Sequence, residues 1–215
     1  MSWLSHIYPQ TILRMSSRYN RDIRINEERG TFKLLVNGSR QSGAYIELLW
    51  RRSFEEFGIT PNNSVRSILV LGVAGGTVIH LLHHMYPAAT ITGVDVDDVM
   101  LDIGRTYFGL GNVKLLRLIH QDARPYVQEA AVQKKRYDLM IVDLFLGRDI
   151  PLFVRSPIFL RQLRRILKKD GTVVINFLRE LEYGPKSDKL MIMLKKIFPT
   201  VQDFGIYHNR FFAMK

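Results

Sequence analysis

The chain has 215 residues, 47% hydrophobic and 24% charged, enough for one good core with a small appendage. It has no cysteine, which excludes disulfides, thiolate metal sites and a cysteine nucleophile, and no apolar run approaches the roughly 18–20 residues that span a bilayer. The net charge of +11 favours anionic partners, but the basic residues are spread out and read first as solvated helix faces.

The opening residues, Met1-Ser-Trp-Leu-Ser-His-Ile-Tyr-Pro9, carry neither the basic start nor the long apolar stretch of a signal peptide, so a cytoplasmic location is expected. Residues 11–43 read as a small antiparallel sheet. Residues 11–15 form a short strand, residues 22–26 alternate, Glu28-Arg-Gly30 turns, and residues 31–36 alternate again. Asn37-Gly38 is a hairpin signal before Ser39-Arg-Gln41. Residues 44–57 read as a helix with Ile46, Leu49, Trp50 and Phe54 on one face. Pro61-Asn-Asn-Ser marks a boundary, giving an expected N-terminal unit, 1–60, and a larger unit, 61–215.

From Val65 onward strands alternate with helices. Strands are expected at 67–72, 90–95, 113–120, 137–143, 171–177, 200–206 and 210–214, and helices at 77–85, 98–107, 123–132, 156–167 and 186–198. Leu139-Met-Ile-Val is apolar throughout, as a strand buried on both faces must be. The alternation defines an α/β chain with a doubly wound, mostly parallel, seven-stranded Rossmann-like sheet. Its last two strands make an antiparallel hairpin.

In such a sheet ligands bind beyond the carboxyl ends of the strands. Four of those ends carry suggestive residues. The first ends in Gly72-Val-Ala74-Gly75-Gly76, where glycines allow positive φ and close backbone approach. The second ends in Asp95-Val96, whose carboxylate can accept from a ribose diol. The third ends in His120-Gln-Asp122-Ala123, an acceptor for an adenine amino group beside a small residue. The fourth ends in Asp143, a carboxylate after a strongly apolar strand that needs a partner or a task. Structural uses compete with these. Gly75 and Gly76 can serve tight packing, Asp122 can cap the helix after it, and Asp97 and Asp98 can both be helix caps, with Asp98 the expected one. His80, His83 and His84 have helical spacing but no supporting acid or cysteine pattern, so no metal site is expected.

The chain resembles the spermidine synthase family, polyamine aminopropyltransferases built on the class I S-adenosylmethionine-dependent methyltransferase fold. The resemblance runs from about Ser17 to Phe177. It is carried by Leu34-Leu-Val-Asn-Gly-Ser-Arg-Gln-Ser, Tyr45-Ile-Glu-Leu-Leu, Val70-Leu-Gly-Val-Ala-Gly-Gly-Thr, Val94-Asp-Val-Asp, Gln121-Asp-Ala and Tyr137-Asp-Leu-Met-Ile-Val-Asp-Leu. It implies that S-adenosylmethionine or its decarboxylated form binds here, leaving methylthioadenosine or S-adenosylhomocysteine. It implies that Asp143 is the general base for an attacking amine. Gln41 falls on the cofactor side, and Tyr45, Leu146 and Asp149 fall where the family shapes the acceptor. A homodimer is a further implication.

The departures are specific. The family's glycine motif carries an acid where this chain has Ala74. Its gate carries a second acid where this chain has Leu146, followed by Arg148. Three functions are therefore weighed: aminopropyl transfer to a small amine, methyl transfer from intact S-adenosylmethionine, and non-catalytic binding of a nucleotide or nucleic acid. The net charge is the sole support for the last.

Overall fold

The computed structural model describes residues 8–146 and 149–215. Met1 to Ile7 and Gly147-Arg148, including the cation expected at the gate, lie outside the described residues.

Strands β1 (Gln10–Met15), β2 (Ile23–Glu28), β3 (Thr31–Val36) and β4 (Ser39–Arg40) pair in chain order as an antiparallel sheet. Two two-residue turns set its register. Arg29-Gly30 and Asn37-Gly38 take positive φ at both positions, the primed geometry that matches strand twist. Alternation along β2 buries Ile23 and Ile25, which pack with Leu34 and Val36 of β3. Helix α1 (Ala44–Glu56) follows and buries Leu49, Trp50 and Phe54.

The larger layer comprises β5 (Ser67–Leu71), α2 (Thr77–Met85), β6 (Thr90–Asp95), α3 (Asp98–Tyr107), β7 (Leu116–His120), α4 (Ala123–Val132), β8 (Tyr137–Val142), α5 (Pro157–Ile166), β9 (Leu167–Leu178), α6 (Tyr183–Ile197), β10 (Val201–Ile206) and β11 (Asn209–Met214). The strand order is β10-β11-β9-β8-β5-β6-β7. All neighbours are parallel except β11, which runs against both β9 and β10. Leu160 of α5 and Leu190 and Leu194 of α6 share a core with one sheet face. Leu49 and Trp50 of α1 share a core with Ile79 and Leu82 of α2 on the other, where the Trp50 ring meets Phe211 at 5.0 Å between centroids. The chain winds outward from β5 to β7, then returns to β8 on the other side of β5. That reversal opens a crevice at the carboxyl ends of β5 and β8.

The structure departs from the sequence reading in several places, among them the start of β7, at Leu116 rather than residue 113. Helix α6 begins at Tyr183 rather than at residue 186, because Pro185 sits in the first turn, where its missing N–H costs nothing. Strand β9 begins at Leu167 rather than at residue 171. Leu167 pairs with Tyr137, and a bulge then shifts the register to Leu139 and Thr172. A short 3-10 helix, Leu152–Arg155, precedes α5.

The cap of α3 is a correction. Asp97 is the N-cap, its carboxylate accepting from the Val99 N–H at 3.2 Å, and the Asp98 carboxylate, on the first helical residue, shares that N–H at 3.0 Å. The reason lies far away in sequence. The other oxygen of buried Asp97 accepts from the Ser17 hydroxyl at 2.5 Å and from the Asn20 side-chain amide at 2.9 Å. One carboxylate thus caps a helix and ties the N-terminal sheet to the loop after β6, beside the apolar contact of Ile23, Ile25, Leu34 and Val36 with Met100 and Ile103.

Asp97→Ala removes the cap and strands two donors, one of them on buried Asn20. The expected loss is about 2–4 kcal/mol of unfolding free energy, with the N-terminal sheet exchanging its amides first, measured by denaturant unfolding and hydrogen exchange.

Candidate active site

A cavity of about 680 Å³ opens at the carboxyl edge of the sheet. Its walls come from the β3–β4 turn and α1 on one side, the ends of β5, β6 and β8, and the β9–α6 connection on the other.

The floor begins with Gly72. Its φ is +89°, and a Cβ there would sit 2.1 Å from the Asp143 carbonyl oxygen. The position therefore has no room for any side chain. Val73 and Ala74 then turn their N–H groups onto Asp95, which accepts at 2.8 and 3.3 Å, while its other oxygen accepts from the Asp97 N–H at 3.0 Å. Burial raises the Asp95 pKa against those three bonds. Ala74 takes a φ of +45°, a left-handed position that costs a residue with a Cβ about 1 kcal/mol.

Gly72, Ala74, Asp95, Val96, Asp122, Ala123 and Asp143 all line the cavity, as do Gln41, Tyr45, Leu146 and Asp149. Gly75 and Gly76 are not among its lining residues. A Cβ on Gly75 would meet Ser42 at 2.7 Å, and one on Gly76, which caps α2 at a φ of +75°, would meet Leu110 at 2.5 Å. These two glycines admit neighbours rather than face the cavity. Asp122 does two things. It caps α4 through the Arg124 N–H at 2.7 Å and still lines the cavity. The Val96 carbonyl is taken by a ring nitrogen of His120 at 3.0 Å.

Asp143 stands one residue past the end of β8. Burial pushes its carboxyl up to about 6, against hydrogen bonds from Asn176 and the Trp50 indole that favour the charged form. The Asn176 amide donates to it at 2.8 Å, and the Asn209 amide donates in turn to the Asn176 oxygen at 2.9 Å. Asn176 interrupts the apolar run of β9, a signal legible in the sequence but not used there. Asn209 carried no such signal.

The sequence reading also missed the acids of the β9–α6 connection. Glu180 and Glu182 line the same cavity as Asp149. Asp149 accepts from the Tyr183 hydroxyl at 2.6 Å, which pushes the phenol up to about 12 together with burial, the larger cause. Glu180 pairs with His208. The Tyr45 ring lies 5.8 Å from that of Tyr207, and burial and the Tyr207 and Glu180 charges raise its hydroxyl pKa. His80, one of the three histidines on α2, binds the Phe108 carbonyl at 2.6 Å. Among the described residues no group of three or more potential ligands could hold a metal ion.

Fold and crevice define the class: a class I methyltransferase-type α/β protein with an N-terminal antiparallel sheet. The family model described as "Spermine/spermidine synthase domain" matches residues 51–205, and the chain belongs to the spermine/spermidine synthase family. A polyamine aminopropyltransferase of Vibrio vulnificus is 30% identical over 119 residues, 55% of this chain and 40% of that protein. An eEF1A lysine and N-terminal methyltransferase homolog of Drosophila melanogaster is 27% identical over 148 residues, 66% of this chain and 22% of that protein. The chain thus spans less than half the length of either relative. Among solved structures, a probable spermidine synthase from Corynebacterium glutamicum matches with a TM-score of 0.78 at 18% identity, over 94% of this chain and 79% of that one. Among the described residues no helix is long and apolar enough to cross a membrane.

Two substitutions in the glycine turn have opposite expected signs. Gly72→Ala forces β5 and β8 apart and costs more than about 3 kcal/mol. Ala74→Gly relieves the left-handed φ and gains about 0.5–1 kcal/mol. Equilibrium unfolding in urea measures both.

Proposed function

We propose that the chain is a transferase that uses an adenosyl sulfonium and moves an aminopropyl group from decarboxylated S-adenosylmethionine to a small amine. Asp143 carries the reading: a carboxylate at the end of a central strand, facing a cavity, with its proton affinity raised toward neutrality. The cavity's volume and its strand-end carboxylates suit a nucleoside. In this reading Asp95 accepts from the ribose hydroxyls, with the Val96 backbone beside them. Asp122 accepts from the adenine amino group above small Ala123. The turn at Gly72 and Ala74, with Gln41 across from it, receives the tail.

The sulfonium supplies an electrophilic carbon. Asp143 orients the amine and receives its proton as the nitrogen lone pair forms the new C–N bond. The C–S bond breaks, and its electron pair stays on sulfur as a neutral thioether. Tyr45 and Leu146 shape the acceptor channel, and Asp149, Glu180 and Glu182 line the cavity with negative charge in a chain whose net charge is +11. That local inversion of sign supports a cationic acceptor.

A second reading, methyl transfer from intact S-adenosylmethionine, draws on Ala74, where no acid is available to a cofactor amine, on apolar Leu146, and on the methyltransferase relative. Calorimetric titration with S-adenosylmethionine, decarboxylated S-adenosylmethionine and methylthioadenosine separates the two. Preference for the decarboxylated form is expected, and preference for the intact form would favour methyl transfer. Failure of all three to bind would sink both.

The base form of Asp143 exists above its pKa of about 6, so kcat/KM should fall about tenfold per pH unit below that value. Asp143→Asn should bind adenosyl ligands normally and lose at least about 10²-fold in turnover. The native state holds this proton between the ordinary value, 3.8, and about 6, so native stability declines as pH rises through that window. Asp143→Asn should therefore unfold at a higher temperature than the parent at pH 8 and lose that advantage at pH 4, measured by thermal scans at both.

A further inference from the structure

Strand periodicity places Leu139 and Ile141 of β8, Val174 of β9, and Phe211 and Ala213 of β11 in one apolar layer beneath α1. Continued toward the carboxyl edge, the same parity gives Asp143, Asn176 and Asn209. At the crevice the apolar rows end in three polar side chains. The register explains their contacts. Val142 pairs with Ile175, so Asp143 and Asn176 are the next residues side by side on parallel strands. Phe211 pairs with Asn176, so Asn209, two residues away on the antiparallel strand, is its diagonal neighbour on that face.

Both asparagines are buried, at 7% and 9% exposure. A buried primary amide has two faces that look alike sterically and differ in charge: an oxygen that accepts and an NH2 that donates. For Asn176 the choice matters, because one of its ends touches the Asp143 carboxylate. With the NH2 turned to Asp143, the charged form of the acid is stabilised. With the oxygen turned there, two acceptors face each other and the carboxylate is driven to hold its proton. Asp143 alone does not settle the choice, since a protonated carboxyl can donate to an amide oxygen. Asn209 ties the choice to its own orientation: its Nδ2 donates to the Asn176 oxygen at 2.9 Å, which leaves the NH2 for Asp143 at 2.8 Å, so Asn176 can reverse only if Asn209 reverses with it or gives up this bond.

We propose that Asn209 is a positioning residue, which locks the amide orientation of Asn176 and so sets the protonation and aim of the proposed base. The proposal rests on the reading of Asp143 as a base for its functional meaning, but its physical content is independent of turnover. The other titratable groups that line the cavity toward the acceptor side are Tyr45 of α1, Asp149, Glu180 and Glu182, Tyr183 of α6, and His208 of the β10–β11 turn. The influences on the Asp143 carboxyl are burial and the two neutral donors, Asn176 and Trp50, so the amide contact is the direct lever on it.

The decisive measurement is a carbon-13 NMR titration of the Asp143 side-chain carboxyl, assigned by its loss in Asp143→Asn, in the parent, Asn209→Asp and Asn209→Leu. Asn209→Asp presents an acceptor in place of the donor. It should draw the Asn176 NH2 to itself and turn the oxygen onto Asp143, moving the titration up by roughly one pH unit. Asn209→Leu removes the lock without reversing it and should move the titration by less in the same direction. Asn209→His, which retains a ring N–H donor, should restore most of the parent value. Where transfer is measurable, the acid limb of kcat should follow the titration while the affinity for adenosyl ligand stays within twofold. Unchanged Asp143 titration in folded Asn209→Asp and Asn209→Leu would overturn the proposal. A shifted titration in a protein with no transfer activity would keep the relay and refute only the catalytic role of Asp143.

Discussion

Everything at the crevice depends on how closely the backbones of β5 and β8 approach at their last residues. The Gly72 N–H reaches the Val94 carbonyl at 2.8 Å, and the Asp143 N–H reaches the Leu71 carbonyl at 2.8 Å. The three central strands are therefore hydrogen-bonded up to Gly72, Val94 and Asp143. A side chain at Gly72 would collide with the Asp143 carbonyl and separate them. Because none is there, the turn after Gly72 bends back over β6 and spends two of its N–H groups on Asp95. The carboxylates at the ends of β6 and β8 are thus located by backbone, not by flexible side chains, which is what a site that must hold atoms to within about half an ångström requires.

The electrostatics run against the bulk composition. The chain carries +11, yet its cavity gathers Asp95, Asp97, Asp122, Asp143, Asp149, Glu180 and Glu182. These acids do not have one job. Asp97 is consumed as a cap and tether, Asp122 is half consumed as a cap, and Asp95 is largely satisfied by backbone amides. Asp143 differs because its donors are side chains, from Asn176 and Trp50, rather than backbone; burial outweighs the donors at both Asp95 and Asp143. Asp143, met by two neutral side-chain donors and otherwise desolvated, is left near the pH at which it can exchange a proton.

The parts of this arrangement that were legible in the sequence are those written locally. Apolar runs that end in glycine or acid, with helical spacing between them, gave the strands, their order of use and the four crevice residues Gly72, Asp95, Asp122 and Asp143. Asn37-Gly38 gave its hairpin because two positive φ values in succession need those residues. What sequence reading missed was set by partners distant in the chain. The tether of Asp97 to Ser17 and Asn20, which favours it over Asp98 as the cap of α3, comes from about 80 residues away. Leu167 to Asp170 looks like a polar helix-to-strand turn, and becomes strand only because β8 offers a bulged partner. Asn209 has meaning only through its register with β9, which no window on the sequence contains.

Ala74 shows how a change at one wall of a cavity is read against another. Its N–H is committed to Asp95 and its side chain is a methyl, so this turn has no carboxylate to pair with a cation, and its left-handed φ is not relieved by glycine. The acids not committed to backbone amides lie instead across the cavity, on Asp149 and on Glu180 and Glu182 of the β9–α6 connection. Asp149 is held there by the Tyr183 hydroxyl and Glu180 by His208, so part of this charge is anchored from α6 and from the β10–β11 turn. A cation entering the cavity therefore meets its counter-charges on the side where the asparagine-bonded Asp143 stands, and the two ends of a bound sulfonium would be treated unequally. In the proposed reading the nucleoside end would meet a fixed acceptor array and the tail a turn stripped of charge, so that selection among tails would fall to Gln41, the turn's shape and the acids facing it.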